Sequence, residues 1–285
     1  MLFFELGTYL LFSQTDKVVR WVFTQLHVNA NELSAATTLT WELEILIVAG
    51  LLTAAFALYE RRRVDSYGLP LRLAFGKLFW EGTAVGFVWP ALVALGMIAL
   101  GGMRINGLAI TGGTLVASAI AWAVANVVVG LGEEMWFRGY MLQTLWKSLG
   151  FWPASILIAL WFTSDHYFYK TGENLYDVVS LIGFSLLVCY TVLRTGSLWF
   201  AVGMHAAFDF TQFFLIGTQN GSQIPVGRLL DVSFPGPAWL TGGVLGTEAS
   251  VLMYPLFVLA FVYVSLRFRS RPCEPQAAGL SSLPT

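Results

Sequence analysis

Leu131-Gly-Glu-Glu-Met-Trp-Phe-Arg138 sets two adjacent carboxylates and an arginine at the end of an apolar run long enough to cross a bilayer. Charged groups in or beside hydrocarbon are costly unless they are paired, protonated or face water. On a helix, Glu134 and Arg138 stand at i and i+4 and share a face, so one carboxylate is neutralised locally. Glu133 points about 100° away and keeps no partner close in sequence.

The remainder of the chain agrees with a membrane setting. Of its 285 residues 56% are hydrophobic and 12% charged, with mean hydropathy +0.68; soluble domains carry about 25% charged residues. Net charge is −1, and no basic patch points to nucleic acid. Cys189 lies in an apolar run and Cys273 in a polar tail, which argues against a disulfide. Glu5 interrupts the first apolar run and no basic segment precedes it, so no cleaved signal peptide is expected.

Apolar runs near the ~20 residues needed to span a bilayer occur at 41–59, 79–101, 112–132, 176–194, 197–217 and 248–266, with a shorter one at 151–163. They lack period-two alternation, which favours an all-α, polytopic transmembrane helical bundle over a barrel. About seven or eight membrane helices are expected, one of them short or broken. Residues 1–35 read as an N-terminal short or interfacial helical region, with 2–12 as an additional short or interfacial helix, 36–271 as the transmembrane domain and 272–285 as a disordered cytoplasmic tail. Loops bearing Arg61, Arg62, Arg63, Arg72 and Lys77, then Arg138 and Lys147, then Arg194, then Arg267, Arg269 and Arg271, outnumber in charge those bearing Lys17, Arg20, Arg104, Lys170 and Arg228. The positive-inside rule puts the first set in the cytoplasm. The expected location is therefore a multi-pass protein of a bacterial cytoplasmic membrane, with its site opening to the cytoplasmic side.

Two of the three histidines fall in or beside these runs: Phe162-Thr-Ser-Asp-His166 and His205-Ala-Ala-Phe-Asp209. Asp209, at i+4, is expected to reach the His205 ring and fix its tautomer. Glu42, Glu44 and Glu248 read as interfacial. Glu133, His166 and His205, from three segments, suggest one water-filled pocket. Such a set suits hydrolysis: a carboxylate in an apolar pocket takes a proton from water and passes it to the leaving amine. A histidine orients the water or donates to an oxyanion. The same three residues offer the ligand types for Zn²⁺, although HExxH spacing is missing, and spacing does not choose between glutamate- and metal-activated water. A proton-coupled transporter using the same Glu and His groups is the principal alternative, and an inactive membrane scaffold a third.

Glu133-Glu134-x-x-x-Arg138, Phe162-x-x-x-His166 and His205-x-x-x-Asp209, in that order on membrane segments, resemble the CPBP family of intramembrane endopeptidases, which includes the CAAX prenyl proteases. Arg138-Gly-Tyr-Met-Leu142 and Thr195-Gly-Ser-Leu-Trp199 leading to His205 fit as well, so the likeness covers roughly residues 60–217. The resemblance implies a glutamate-type endopeptidase with no cofactor and with 36–271 as its protease domain, in which Glu133 activates water and His166 helps bind it. Glu134, Arg138 and Phe162 would be structural or substrate-positioning residues, and His205 with Asp209 would bind the oxyanion. Its partners would be the lipid bilayer and a membrane protein or peptide with a hydrophobic, lipid-modified or sorting-signal segment. One departure matters: the CAAX prenyl proteases carry Asn where this chain has Asp209. An amide donates a hydrogen bond at any pH, a carboxyl only when protonated, so Asp209 is expected to orient His205 instead.

Overall fold

The structure is a computed structural model and describes residues 2–269; the tail expected over 272–285 lies outside them. It is helical almost throughout. The long helices are α1 (Leu2–Leu26), α2 (Ala35–Tyr59), α3 (Lys77–Ala99) and α4 (Gly112–Glu134). A π-helical turn, Met135–Met141, joins α4 to α5 (Leu142–Leu149), and then come α6 (Phe151–Tyr169) and α7 (Leu175–Thr195). Next, α8 (Trp199–Asp209) runs into a second π-helical turn, Phe210–Ile216. The one-turn α9 (Ala238–Thr241) and α10 (Met253–Arg267) complete the bundle. A two-stranded antiparallel ribbon, Arg104–Leu108 with Leu230–Ser233, caps one end.

Among the described residues, six helical segments are long and apolar enough to cross a membrane. The chain is an integral membrane protein. α1 and α6, 25 and 19 residues long, are more polar and bring the bundle to the expected number. Two expectations change here. The N-terminal helix is not confined to 2–12: it extends to Leu26, and Phe4 is buried with its ring stacked 5.2 Å from that of Tyr140. The short run at 151–163 continues through its polar cluster as one helix, because Ser164, Asp165 and His166 line a hollow or bond back to the preceding turn instead of meeting lipid.

Local signals set the helix ends. Ser34 and Thr37 form a capping box at the start of α2, and the Asn174 side chain accepts from the Tyr176 and Asp177 amides at 2.9 and 3.2 Å. Gly150, at φ 84°, makes the corner between α5 and α6 that a side chain would resist. The tightest packing joins α3 to α8. A Cβ on Gly82 would strike the Phe200 carbonyl oxygen, one on Gly86 that of Met204, and one on Gly203 that of Phe79. Gly82 and Gly86 are spaced as small-xxx-small, which lets helices approach closely where no hydrophobic effect drives them together.

This packing leaves two unlike ends. At the basic end, the Leu198 amide donates to the Gly68 carbonyl at 2.7 Å, Trp199 Nε1 to that of Pro70 at 3.1 Å, and Arg194 Nε to that of Phe268 at 2.7 Å. At the opposite end, the Val226 amide donates to the Leu33 carbonyl at 2.8 Å and Thr171 Oγ1 to that of Gly221 at 2.7 Å. Gly86→Ala is expected to cost ~1–3 kcal/mol through overpacking, read as a lower melting temperature in detergent. Gly113→Ala, where nothing lies within 4 Å, should be neutral.

Candidate active site

Glu133 and Glu134 end α4, and the π-helical turn begins at the next residue. There the Leu142 amide bonds to the Phe137 carbonyl five residues back, so the turn is wider than α-pitch. Glu134 and Arg138 are both 0% exposed. Arg138 Nη1 donates to Glu134 Oε1 at 3.4 Å, as the i,i+4 spacing predicts. Arg138 Nη2 donates to Ser185 Oγ of α7 at 2.7 Å, and the guanidinium lies 4.5 Å from the centre of the Phe162 ring. Phe162 thus has Arg138 on one side, while its ring centre is also 4.2 Å from that of His166.

His205 comes from α8, which approaches α4 so closely that a Cβ on Gly130 would lie 2.7 Å from the Val202 carbonyl oxygen. Its Nδ1 is 2.8 Å from Glu134 Oε1. A carboxylate only accepts, so Nδ1 carries the proton and donates. The expectation that Asp209 orients the ring is corrected: Glu134 does so, and Asp209 Oδ2 stands 3.7 Å from Nε2, beyond hydrogen-bond length. Glu133 Oε2 is 3.8 Å from the same Nε2 and is buried without a hydrogen-bond partner. The structure therefore gathers Glu133, Glu134, Arg138, His205 and Asp209. His166 sits apart from that group with Nδ1 2.9 Å from the Phe162 carbonyl oxygen, which can only accept; its ring edges the same hollow.

The hollow has a volume of about 860 Å³ and is lined by Glu133, His166, His205 and Asp209. Sequence reasoning missed Glu42, which also lines it. The α2 backbone passes Gly132 so closely that a Cβ there would lie 3.2 Å from the Glu42 carbonyl oxygen, and Glu42 Oε2 is buried without a partner. The signal available was its position beside Gly132, which no local pattern on α2 reveals. Two other glutamates expected at the interface have partners inside the bundle: Glu44 bonds to Thr15 and Glu248 to Lys170. Among the described residues no three His, Cys, Asp or Glu side chains form a cluster fit for a metal ion. Glu133, His166 and His205 do not form such a cluster.

The hollow opens towards the end opposite the basic loops. Its mouth is framed by Ala30, Glu32, Thr171, Gly221 and Gln223, and no residue of the 60–76 or 195–198 loops lines it. The sequence locates the basic end, but which end is sealed depends on packing such as the Leu198–Gly68 contact.

A family model described as Type II CAAX prenyl endopeptidase Rce1-like matches residues 114–211. Over that segment the chain is similar to the CAAX prenyl endopeptidases. The matched segment holds Glu133, Glu134, Arg138, Phe162, His166, His205 and Asp209, whereas Glu42 lies outside it. No curated protein matches the chain. That likeness, on a helical membrane protein, supports a membrane endopeptidase, a hydrolase of peptide bonds.

Arg138→Met strips Glu134 of its buried cation and is expected to cost ~3–5 kcal/mol, against about 1 kcal/mol for Ser185→Ala. Thermal unfolding of the two purified variants in detergent checks the order.

Proposed function

We propose that the protein hydrolyses a peptide bond within the membrane with water activated by Glu133. The observation that carries this reading is the buried, unpartnered Glu133 Oε2 lying 3.8 Å from a histidine Nε2. That gap is too long for a direct hydrogen bond but suits one bridging water. Glu134 fixes the proton on Nδ1, which leaves Nε2 a lone pair for the water's second hydrogen. Glu133 takes the first proton as the water oxygen attacks the carbonyl carbon, then passes it to the leaving amine. Asp209, when protonated, donates to the developing oxyanion. His166, its Nδ1 proton given to the Phe162 carbonyl, offers Nε2 as an acceptor for water. The substrate is a hydrophobic, lipid-modified or sorting-signal-bearing protein segment.

A proton-coupled transporter needs a polar route to both faces of the membrane. No residue of the basic-end loops lines the hollow, and Glu134, Arg138, Phe137, Met141, Leu142 and Leu198 are buried without lining it. The geometry therefore favours the hydrolase.

The mouth lies away from the arginine-rich loops, so the positive-inside rule supports access from the non-cytoplasmic face. An impermeant maleimide tests this in a Cys273→Ser background. Gln223→Cys, exposed at the mouth, should label on intact cells, and Ser148→Cys, exposed at the basic end, only after permeabilisation. The inverse pattern would return the site to the cytoplasm.

Glu133→Gln should lower kcat by about 10²–10⁴-fold, the usual share of a general base, with no loss of melting temperature. Activity should survive exhaustive chelation. Cleavage at wild-type rate by Glu133→Gln protein would refute the assigned base.

A further inference from the structure

We propose that the cavity takes an internal, positively charged stretch of polypeptide rather than one ending in a free carboxylate. This rests on the protease reading above and narrows its substrate class.

The charges around the hollow are unequal. Its two cationic side chains are both engaged: Arg20 with Asp16 at 2.9 Å, and Lys170 with Glu248. Glu42, Asp165 and Asp177 also line it, and among the described residues none of them has an ion-pair partner. Asp177 stands out. It is 0% exposed, yet neither carboxylate oxygen has a hydrogen-bond partner. Its place in the first turn of α7 tolerates negative charge but fills neither oxygen. Beside it, in the loop before α7, burial and then the Asp177 carboxylate push the Glu173 carboxyl up to about 8, against the pull of Lys170. An arriving guanidinium or ammonium gives the unpartnered Asp177 carboxylate a paired charge.

A terminal carboxylate here meets like charge and no free cation, and like-charge contact in a desolvated site costs several kcal/mol. A lysine or arginine side chain meets the reverse. Distance fixes where it sits. Asp177 and Phe184 are two turns apart on α7, or ~10 Å, and the Phe184 ring lies 5.0 Å from that of His205. An extended chain covers that rise in about three residues, so the basic residue binds about three positions from the scissile bond, on its mouth-facing side.

Three quenched-fluorescent peptide libraries with apolar backgrounds test this on the full-length protein in detergent: amidated with one arginine, amidated with glutamine in its place, and free-carboxyl without basic residues. The arginine library should be cleaved at least about tenfold faster than either of the others. Mass spectrometry should place the cuts about three residues from the arginine. Asp177→Asn should shrink the arginine-to-glutamine ratio to about threefold or less, a ratio that does not depend on how much of the variant folds. An unchanged ratio in that variant, or equal cleavage of the free-carboxyl library, would overturn the proposal. If wild-type protein cleaves no library faster than Glu133→Gln protein does, the protease reading itself fails.

Discussion

Glu134 is the residue on which the interior depends. Its Oε1 accepts from Arg138 Nη1 and from His205 Nδ1, and Arg138 reaches on to Ser185 and lies against Phe162. One carboxylate therefore ties together α4, α6, α7 and α8. A buried charge pair contributes little net stability, because desolvation consumes most of its Coulomb energy. Its value is directional: with both donors in place, the ring of His205 has one orientation and one tautomer. The glycine contacts make this possible, since Gly130 allows α8 close enough for a histidine to reach a glutamate on a neighbouring helix.

The adjacent glutamates divide structure from chemistry. Glu134 is consumed by packing, while Glu133, turned by one residue, faces the hollow with an oxygen to spare. The pair is intelligible only as a pair: a lone carboxylate at this depth would have to choose between anchoring the histidine and facing water. The sealed basic end and the loop-framed mouth extend the same division to the whole bundle, with rigid contacts on one side and access on the other.

Much of this was legible in the sequence. The Glu134–Arg138 pair follows from i,i+4 spacing, and the spans follow from the lengths of apolar runs. What spacing missed were the contacts between helices. Asp209 was the obvious partner for His205 because it is four residues away, but the partner is a glutamate 71 residues earlier. Glu42 looked interfacial because it lies near the start of its helix, yet α2 passes Gly132 and brings it to the cavity wall. The run at 151–163 looked too short because Asp165 and His166 seemed to end it; they line the hollow instead of meeting lipid. Loop charge reports orientation and carries no information about which end of a bundle is closed.

Both π-helical turns begin at the residue after an acidic group of the site, Met135 after Glu134 and Phe210 after Asp209. Each acts as a phase adjuster, letting the helix present one face to the reaction and a different one to its neighbours. Loss of a single residue from either turn would restore ordinary pitch and remove the wide turn that borders the site's carboxylate. Insertions and deletions should therefore be tolerated far less well in 135–141 and 210–216 than substitutions that keep the register.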